Sequence, residues 1–400
     1  MNIQEKTIEI LKDNYVCDRC LGRQHSQLLS GLSNEERGQI LRKSIAMRMD
    51  SGEEIKVNES NFYGIKFHNI KINPKKPGKC SVCEDIFPEL KKKVKLFIKA
   101  TEKYDFDTFL IGCMPDPNLL EKEQKLWERV GVDWVEPLKS EINRTLGKEV
   151  EAVTGKVMDR KNPHIAAVYD LKADTVSIKV RSIFIYGKYQ KLVRNIPQTT
   201  WKTRIYPVSV QDIIAKPFMK QTQAEAHRLH CAGREDVDVR CLGWRPFVLE
   251  LINPKKRKIK IVAIKSKKAQ AKELKLANKL DVKRVKTMKP DKTYRAEITF
   301  EKEIENLQEL DSLNGKVISQ QTPTRVLRRR ADLLRRRRVK DIKYKLLNKK
   351  KLEITLTTEA GTYIKELIHG DEGRTQPSIS NLINNKVKNI KLDVVKIHCD

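Results

Sequence analysis

The residues from Ala232 to Gly243 combine carboxylates, two arginines and a turn-forming glycine, which are residue types that can do chemistry together. Gly233 permits a sharp turn or a close approach to a ligand, and Arg234 supplies a guanidinium that can bind an anion. From Val237 onward, apolar and charged residues alternate as in a half-buried strand. Asp236, at the mouth of this strand, is therefore a candidate nucleophile or metal ligand. The alternative is a surface hairpin in which Asp236 only pairs with an arginine.

Four of the eight cysteines stand in two Cys-X-X-Cys pairs, Cys17 with Cys20 and Cys80 with Cys83. Each pair can turn two thiolates toward one metal ion, and two pairs complete a tetrahedral four-thiolate zinc site. A redox pair is the alternative, but it would not require a second copy. The spacing therefore predicts a structural Zn²⁺ ion that holds distant parts of one small domain together. The other four cysteines are expected to be packed or idle thiols.

The composition indicates an intracellular protein that binds a polyanion. The 82 Lys and Arg residues exceed the 52 Asp and Glu residues, giving a net charge of +30 over 400 residues. Such an excess favours nucleic acid as the partner. The N-terminus lacks the apolar core of a signal peptide and nothing reaches transmembrane length, so we expect a cytoplasmic protein with no membrane partner. The length predicts two or three domains.

The elements that must position these residues follow from patterning. Before the second half of the chain we expect a helix over Ser33–Met49, capped by Ser33 with Glu36, and an apolar helical stripe after Cys83. A helix over Thr222–Cys231 would place His227 and His230 on one face, as packing or RNA-facing residues rather than metal ligands. A lysine-rich helix is expected over Lys267–Lys279.

The order of elements from about residue 87, ending in the strand Ile183–Tyr189, resembles a THUMP domain, an RNA-binding module of tRNA-modifying enzymes. The alternative is an α/β domain that only packs against the rest of the protein. The next stretch interleaves basic residues with aromatics, as recognition of looped RNA requires. Here we expect RNA contacts from Lys188, Lys191 and Arg194, although the segment also suits an interdomain linker.

A second basic stretch runs from Ser319 to Arg338 and contains few acids. A charge run is usually a solvated face, but solvated faces normally mix charges of both signs. The density of arginine therefore favours binding to phosphate groups. We expect RNA contacts from Arg325, Arg328 and Arg329.

Two motifs resemble the pseudouridine synthases. Gly233-Arg234-Glu235-Asp236 is similar to the turn that presents their essential aspartate, and Gly361-Thr362-Tyr363-Ile364-Lys365 is similar to a motif whose basic residue pairs with it. The longer run from Ala232 to Phe247 resembles one family among them. That family is the archaeal and eukaryotic tRNA pseudouridine synthases that modify uridines 54 and 55 in the T arm.

The resemblance implies a role for each matching residue. Asp236 would be the catalytic aspartate, Lys365 its basic partner, and Tyr294 the aromatic that stacks on the target base. Tyr363 would shape the pocket wall, Leu382 would line the pocket, and Arg234 would contact the substrate. For Tyr294 and Leu382, simple core packing is the alternative.

The resemblance also implies an α+β fold in three parts: a zinc-binding segment (1–86), a THUMP-like domain (87–204) and a catalytic domain (205–400) on a mixed, mainly antiparallel sheet. The expected activity isomerises uridine to pseudouridine in tRNA, at position 54, 55 or both. It needs no organic cofactor, and the sequence has no phosphate-cradling glycine loop. Nothing implies an obligate protein partner. The rivals are another THUMP enzyme, such as a methyltransferase or thiolase, and a non-catalytic zinc-containing tRNA-binding protein.

Overall fold

The computed structural model describes residues 1–201, 203 and 205–399, and the chain forms two compact units, Met1–Arg181 and Ser182–Asp400. Within the described residues, no helix has both the length and the apolar character needed to cross a bilayer. The two units have separate hydrophobic cores.

The first unit is a helix-rich α/β structure around a four-stranded sheet in the order β2-β1-β3-β4, in which only β3 and β4 are antiparallel. Its elements are α1 (Ile3–Leu11), α2 (Asp18–Arg23), α3 (Asn34–Asp50), α4 (Ile86–Thr101), β1 (Thr108–Met114), α5 (Pro117–Val130), α6 (Leu138–Thr154), β2 (Val157–Met158), β3 (Ile165–Asp170) and β4 (Thr175–Val180).

Two helices of this unit form where the sequence predicts them. Ser33 caps α3 in a capping box with Glu36, whose side chain accepts a hydrogen bond from the Ser33 N–H at 2.8 Å. This arrangement satisfies N–H groups that the first turn of a helix leaves without partners. The apolar stripe of α4 is buried in the same core as Phe109 of β1. Burial of this stripe stabilises the helix against the sheet.

The second unit is built on one large sheet. Its elements are β5 (Ile183–Lys191), α7 (Val210–Thr222), β6 (Ala226–Cys231), β7 (Arg240–Ile252), β8 (Ile264–Lys265), β9 (Ala269–Ala277), α8 (Lys279–Thr287), β10 (Lys292–Phe300), β11 (Val317–Gln320), β12 (Arg335–Asn348), β13 (Lys351–Thr358), α9 (Ile364–His369), β14 (Thr375–Gln376), α10 (Ile379–Leu382) and β15 (Val387–Ile397).

The strand order is β14-β11-β12-β13-β10-β15-β7-β5-β9-β8, with β6 paired to β7. All pairs are antiparallel except β15 with β7, which meet at Asp393 opposite Arg240. The prediction of an α+β fold with a mixed, mainly antiparallel sheet is confirmed. The single parallel pair joins the two halves of the sheet, so β7 and β10 lie on either side of β15.

Two predicted helices are strands instead. Residues 226–231 form β6, and His227 and His230, three apart on a strand, point to opposite faces. His230 binds Glu250 and His227 contacts Gln211, so both are packing residues. The lysine-rich stretch forms β9, which pairs with β5 along its length. In both cases strand pairing outweighs the intrinsic helix preference of the segment.

The boundary predicted at residue 205 is also too late. Strand β5 pairs with β7 and β9 and belongs to the second unit, which begins at Ser182. The predicted division of the first unit after residue 86 stays a prediction.

Candidate active site

Asp236 lies in the turn between β6 and β7, which we call the Asp236 turn (residues 232–239). Gly233 has φ 84°, a left-handed conformation that favours glycine, and a Cβ there would come within 3.0 Å of Arg245 Nη1. The turn is closed by a hydrogen bond from the Val239 N–H to the Asp236 carbonyl at 3.1 Å. The predicted turn at Gly233 is therefore confirmed, and β7 begins just beyond it at Arg240.

The Asp236 carboxylate is half-exposed and faces two cations. Arg325 Nη1 lies 3.2 Å and Lys365 Nζ lies 3.6 Å from Asp236 Oδ2. Arg325 is carried by a 3₁₀ helix (Thr324–Arg329), and Lys365 by the first turn of α9. The residues thus come together from three distant parts of the chain. A carboxylate that faces solvent on one side and two cations on the other can reach a ligand while its charge is compensated.

Lys365 has a nearer partner than the sequence indicated. Its Nζ lies 2.8 Å from Asp238 Oδ2 and 2.9 Å from Oδ1. Burial, the largest single influence, would raise the pKa of Asp238, but the hydrogen bond and the charge of Lys365 act with the charge of Lys191 to lower the pKa below its ordinary value. Lys365 therefore bridges the two aspartates of the turn.

Arg325 was expected from the sequence to bind RNA, but it lies against Asp236. Its Nε donates to Glu366 Oε1 at 2.7 Å, and Glu366 is buried next to Lys365 in α9. Burial, the largest single influence, tends to lower the pKa of Arg325, but the interactions with Glu366 and Asp236 together raise it above its ordinary value. Glu366 thereby fixes the guanidinium against Asp236. No sequence signal singled out Glu366.

Tyr294 sits on β10, opposite Val394 of β15, and packs against the core of the large sheet. Burial raises the pKa of its hydroxyl to about 12, and the nearby charge of Arg245 acts in the opposite sense. Arg245 also donates to the Ala232 carbonyl at 2.8 Å, so Tyr294 and the Asp236 turn share this arginine as a neighbour.

Three further predicted substrate residues occupy different settings. Arg234 is exposed at the Asp236 turn. Tyr363 precedes α9; its backbone is held by Gln320, and its hydroxyl accepts a hydrogen bond from Arg330 at 2.8 Å. Leu382 ends α10 and is partly buried against the core of the sheet.

The predicted RNA contacts divide into two groups. Arg328 and Arg329 are exposed, as phosphate binding requires. Lys191 is completely buried, so its predicted role in RNA binding is wrong. Arg194 donates to Asp393 at 2.6 Å and to two backbone carbonyls, and Lys188 pairs with Glu273 at 2.7 Å. Arg194 is engaged because the segment after β5 packs on the Asp236 turn, and Lys188 because β5 pairs with β9, which carries Glu273.

The four predicted metal ligands of the first unit come together. The Sγ atoms of Cys17, Cys20, Cys80 and Cys83 all lie within 4.8 Å of one another. Cys17 and Cys83 are 3.6 Å apart, close to the roughly 3.8 Å expected between sulfurs of a tetrahedral site with metal–sulfur bonds of about 2.3 Å. The Cys17 N–H also donates to Cys80 Sγ at 3.3 Å, which suits a thiolate. The four thiols therefore fit a metal ion.

Family comparisons agree with this geometry. The family described as "Pus10, C-terminal" matches residues 184–398, and "Pus10 THUMP domain, archaeal" matches residues 94–170. The THUMP prediction is therefore confirmed within the first unit. Among solved structures, a Cbf5-Nop10-Gar1 complex covers 51% of this chain and 47% of its own chain at 16% identity, but its TM-score of 0.30 is too low to carry an argument.

Curated relatives match the sequence along its whole length. The tRNA pseudouridine synthase Pus10 of Pyrococcus furiosus is 35% identical over 405 residues, which cover 99% of this chain and 98% of the relative. The protein of the same name from Methanocaldococcus jannaschii is 36% identical over 440 residues, covering 99% and 95%. The chain belongs to the Pus10 family of tRNA pseudouridine synthases.

Proposed function

We propose that this enzyme converts uridine to pseudouridine in the T arm of tRNA, at position 54, 55 or both, and that Asp236 is its catalytic carboxylate. The observation that carries the proposal is the half-exposed Asp236 side chain, which faces Arg325 and Lys365 at 3.2 and 3.6 Å. The Asp236 turn and the motif Gly361–Lys365, which leads into α9 and is called the α9 motif below, both resemble the family's motifs and support the same assignment.

The reaction rearranges one nucleotide. The bond between ribose C1′ and uracil N1 breaks, the base rotates, and a bond forms between C1′ and C5. C5 loses its proton and N1 gains one, so atoms and electrons balance without an organic cofactor. The uridine must first leave its stack, because side chains cannot reach it within the folded arm.

In this mechanism Asp236 acts on the sugar as nucleophile or base. Lys365 and Arg325 compensate its charge and fix its orientation. Tyr294 stacks on the extruded base, and Tyr363 and Leu382 form the walls of the pocket. Arg234, Arg328 and Arg329 contact phosphate groups of the tRNA.

We assign Zn²⁺ to the four-cysteine site, because four thiolates in tetrahedral spacing are the donor set of structural zinc. When bound, the ion contributes folding free energy to the first unit and takes no part in the isomerisation. A cytoplasmic location agrees with this use of cysteine, since disulfides are rare there.

The alternative, a zinc-containing protein that binds tRNA without modifying it, is tested by mapping. Unmodified tRNA transcripts with U54 and U55 are incubated with the purified enzyme, and pseudouridine is located by chemical labelling and primer extension. We expect pseudouridine at 54, 55 or both. Transcripts with cytidine at one of the two positions separate the two activities. Tight tRNA binding with no pseudouridine at either position would support the alternative.

A further inference from the structure

The carbonyls of the Asp236 turn are held from behind by buried side chains. Lys191 Nζ, at the end of β5, donates to the carbonyls of Asp236 at 2.9 Å, Val237 at 3.0 Å and Ile196 at 3.0 Å. An ammonium group has three N–H donors, so Lys191 uses all of them on backbone oxygen. Two of these oxygens belong to the two successive peptides that follow Asp236.

The charge of Lys191 makes this arrangement costly. The side chain is 0% exposed, and its hydrogen-bond partners are neutral carbonyls rather than a carboxylate. Burial lowers the pKa of Lys191 below its ordinary value, although the negative charge of Glu235 acts in the opposite sense. An exposed lysine would avoid this desolvation cost. The hydrogen bonds from the ammonium group to the backbone carbonyls are therefore the reason for a buried lysine at this position.

A second set of contacts fixes the start of the turn. Glu235, whose side chain is fully buried, accepts hydrogen bonds from the Tyr189 hydroxyl at 3.0 and 3.1 Å and lies 3.0 Å from Arg245 Nε. Arg245 Nη1 donates to the Ala232 carbonyl at 2.8 Å, and Gln198 Nε2 donates to the Gly233 carbonyl at 3.1 Å. Glu235 thus points into the protein while its neighbour Asp236 points out.

We propose that Lys191 is a positioning residue for Asp236, and that the buried Tyr189–Glu235–Arg245 cluster acts with it to fix the direction of the catalytic carboxylate. The segment after β5, which looked like an RNA contact, is then the support of the Asp236 turn. The Asn195 N–H strengthens it by donating to the Val237 carbonyl at 2.9 Å. The inference rests on Asp236 being the catalytic carboxylate.

The consequence is a defect in the chemical step rather than in binding. Lys191 does not reach solvent, so tRNA affinity does not depend on it directly. Loss of its three bonds lets the backbone at Asp236 move, and misplacement of a reacting group by about 1 Å costs on the order of 10²-fold in rate. A rate loss with unchanged affinity is the signature of a positioning residue.

The test compares Lys191→Met in the full-length enzyme with wild type under single-turnover conditions, using tRNA labelled with tritium at C5 of uridine. We expect the rate constant to fall about 10- to 100-fold, while the dissociation constant for tRNA changes less than about threefold. The amplitude of the single turnover reports the folded fraction. A lowered amplitude with a normal rate constant would mean that Lys191 only stabilises the fold, and would overturn the proposal.

Lys6→Met is the matched control. Lys6 is also buried and donates to backbone carbonyls, at 2.9 Å to Asp133, but it lies in the first unit. This variant should lose stability without a lower rate constant. If Lys191→Met does not fold, Tyr189→Phe decides. It removes the hydroxyl that donates to Glu235 at 3.0 and 3.1 Å and accepts from Gln198 Nε2 at 2.7 Å, and it should lower the rate constant severalfold. A wild-type rate in Tyr189→Phe would then overturn the proposal. Asp236→Asn tests the catalytic assignment separately. Loss of all activity in this variant supports the assignment, and retained activity would contradict it whatever the result for Lys191→Met.

Discussion

Lys365 Nζ lies 2.8 Å from Asp238 Oδ2 but 3.6 Å from Asp236 Oδ2. The lysine of the α9 motif is therefore shared between two aspartates of the same turn, and the closer bond is to Asp238. Arg325, at 3.2 Å, is the nearer cation to Asp236. Arg325 is therefore the main ion-pair partner of Asp236, and Lys365 is the main partner of Asp238.

Arg325→Met is expected to lower kcat at least as much as Lys365→Met does, by about 10- to 100-fold, because Arg325 is the cation closer to the Asp236 carboxylate, whose charge it compensates and whose orientation it fixes. Steady-state kinetics on a tRNA transcript measure this. Arg328→Met is the control, since Arg328 is exposed on the same 3₁₀ helix. It should raise KM and weaken the salt dependence of binding while leaving kcat near wild type. Equal kcat in Arg325→Met and wild type would remove Arg325 from the site.

Asp238→Asn should retain activity within about tenfold of wild type. Loss of the negative charge of Asp238 frees Lys365 to turn toward Asp236, and the asparagine side chain can still accept a hydrogen bond from Lys365. The pKa of Asp238 is lowered in the folded protein, which means that the ion pair with Lys365 favours the folded state above the pH at which Asp238 is protonated. The rate of pseudouridine formation is the measurement. Complete inactivity of Asp238→Asn would point to Asp238 as the essential acid.

Removal of the metal should unfold the first unit and leave the second folded. In the full chain, Cys80→Ser takes one thiolate from the four-cysteine site, and zinc binding contributes folding free energy directly. Scanning calorimetry should show the transition of the first unit shifted down or lost, with that of the second unit unchanged. Cys113→Ser, at a buried thiol outside the cluster, is the control. An unchanged melting profile for Cys80→Ser would contradict a structural metal.

Lys292, two residues before Tyr294, gives a pH-dependent prediction. It is 8% exposed, and burial lowers its pKa from 10.5 to about 8. Between these values the unfolded chain binds a proton that the folded chain does not, so the free energy of unfolding rises with pH in this window. Relative to Lys292→Met, wild type should gain up to about 3 kcal/mol from below to above the window.

Urea unfolding of both proteins at pH values on either side of the window measures the difference. Comparison with the variant cancels the titration of cysteines and tyrosines elsewhere. Parallel pH dependences for the two proteins would show that Lys292 keeps its ordinary pKa in the folded state.

Local sequence signals were sufficient where a contact is short in range. The Ser33–Glu36 capping box, the turn at Gly233 and the apolar stripe of α4 depend on residues within a few positions of one another. The contact between Asp236 and Lys365 could be predicted because the two motifs that contain these residues both resemble motifs of the pseudouridine synthases. Their distance of 3.6 Å is within reach of an ion pair.

Long-range contacts explain what the sequence did not reveal. Lys191 looks like any basic residue of an RNA-binding stretch. Its burial depends on the pairing of β5 with β7, in which its partner Cys241 lies about fifty positions downstream. Arg325 stands in a run of arginines, and its contacts with Asp236 and with the buried Glu366, both distant in the sequence, distinguish it from Arg328. The strand β6 was mistaken for a helix because its pairing with β7 cannot be read from its own residues.

The central claim is that Asp236 carries the chemistry, and tritium release from C5-labelled uridine in tRNA tests it most directly. Asp236→Asn keeps the shape of the side chain and removes its charge. Glu303→Gln is the control. Glu303 pairs with Lys349 just beyond the C-terminal end of β10, whereas Tyr294 lies near the start of that strand. The account predicts that Asp236→Asn binds tRNA with near wild-type affinity and releases no tritium, while Glu303→Gln releases it normally. Tritium release by Asp236→Asn at the wild-type rate would contradict the account.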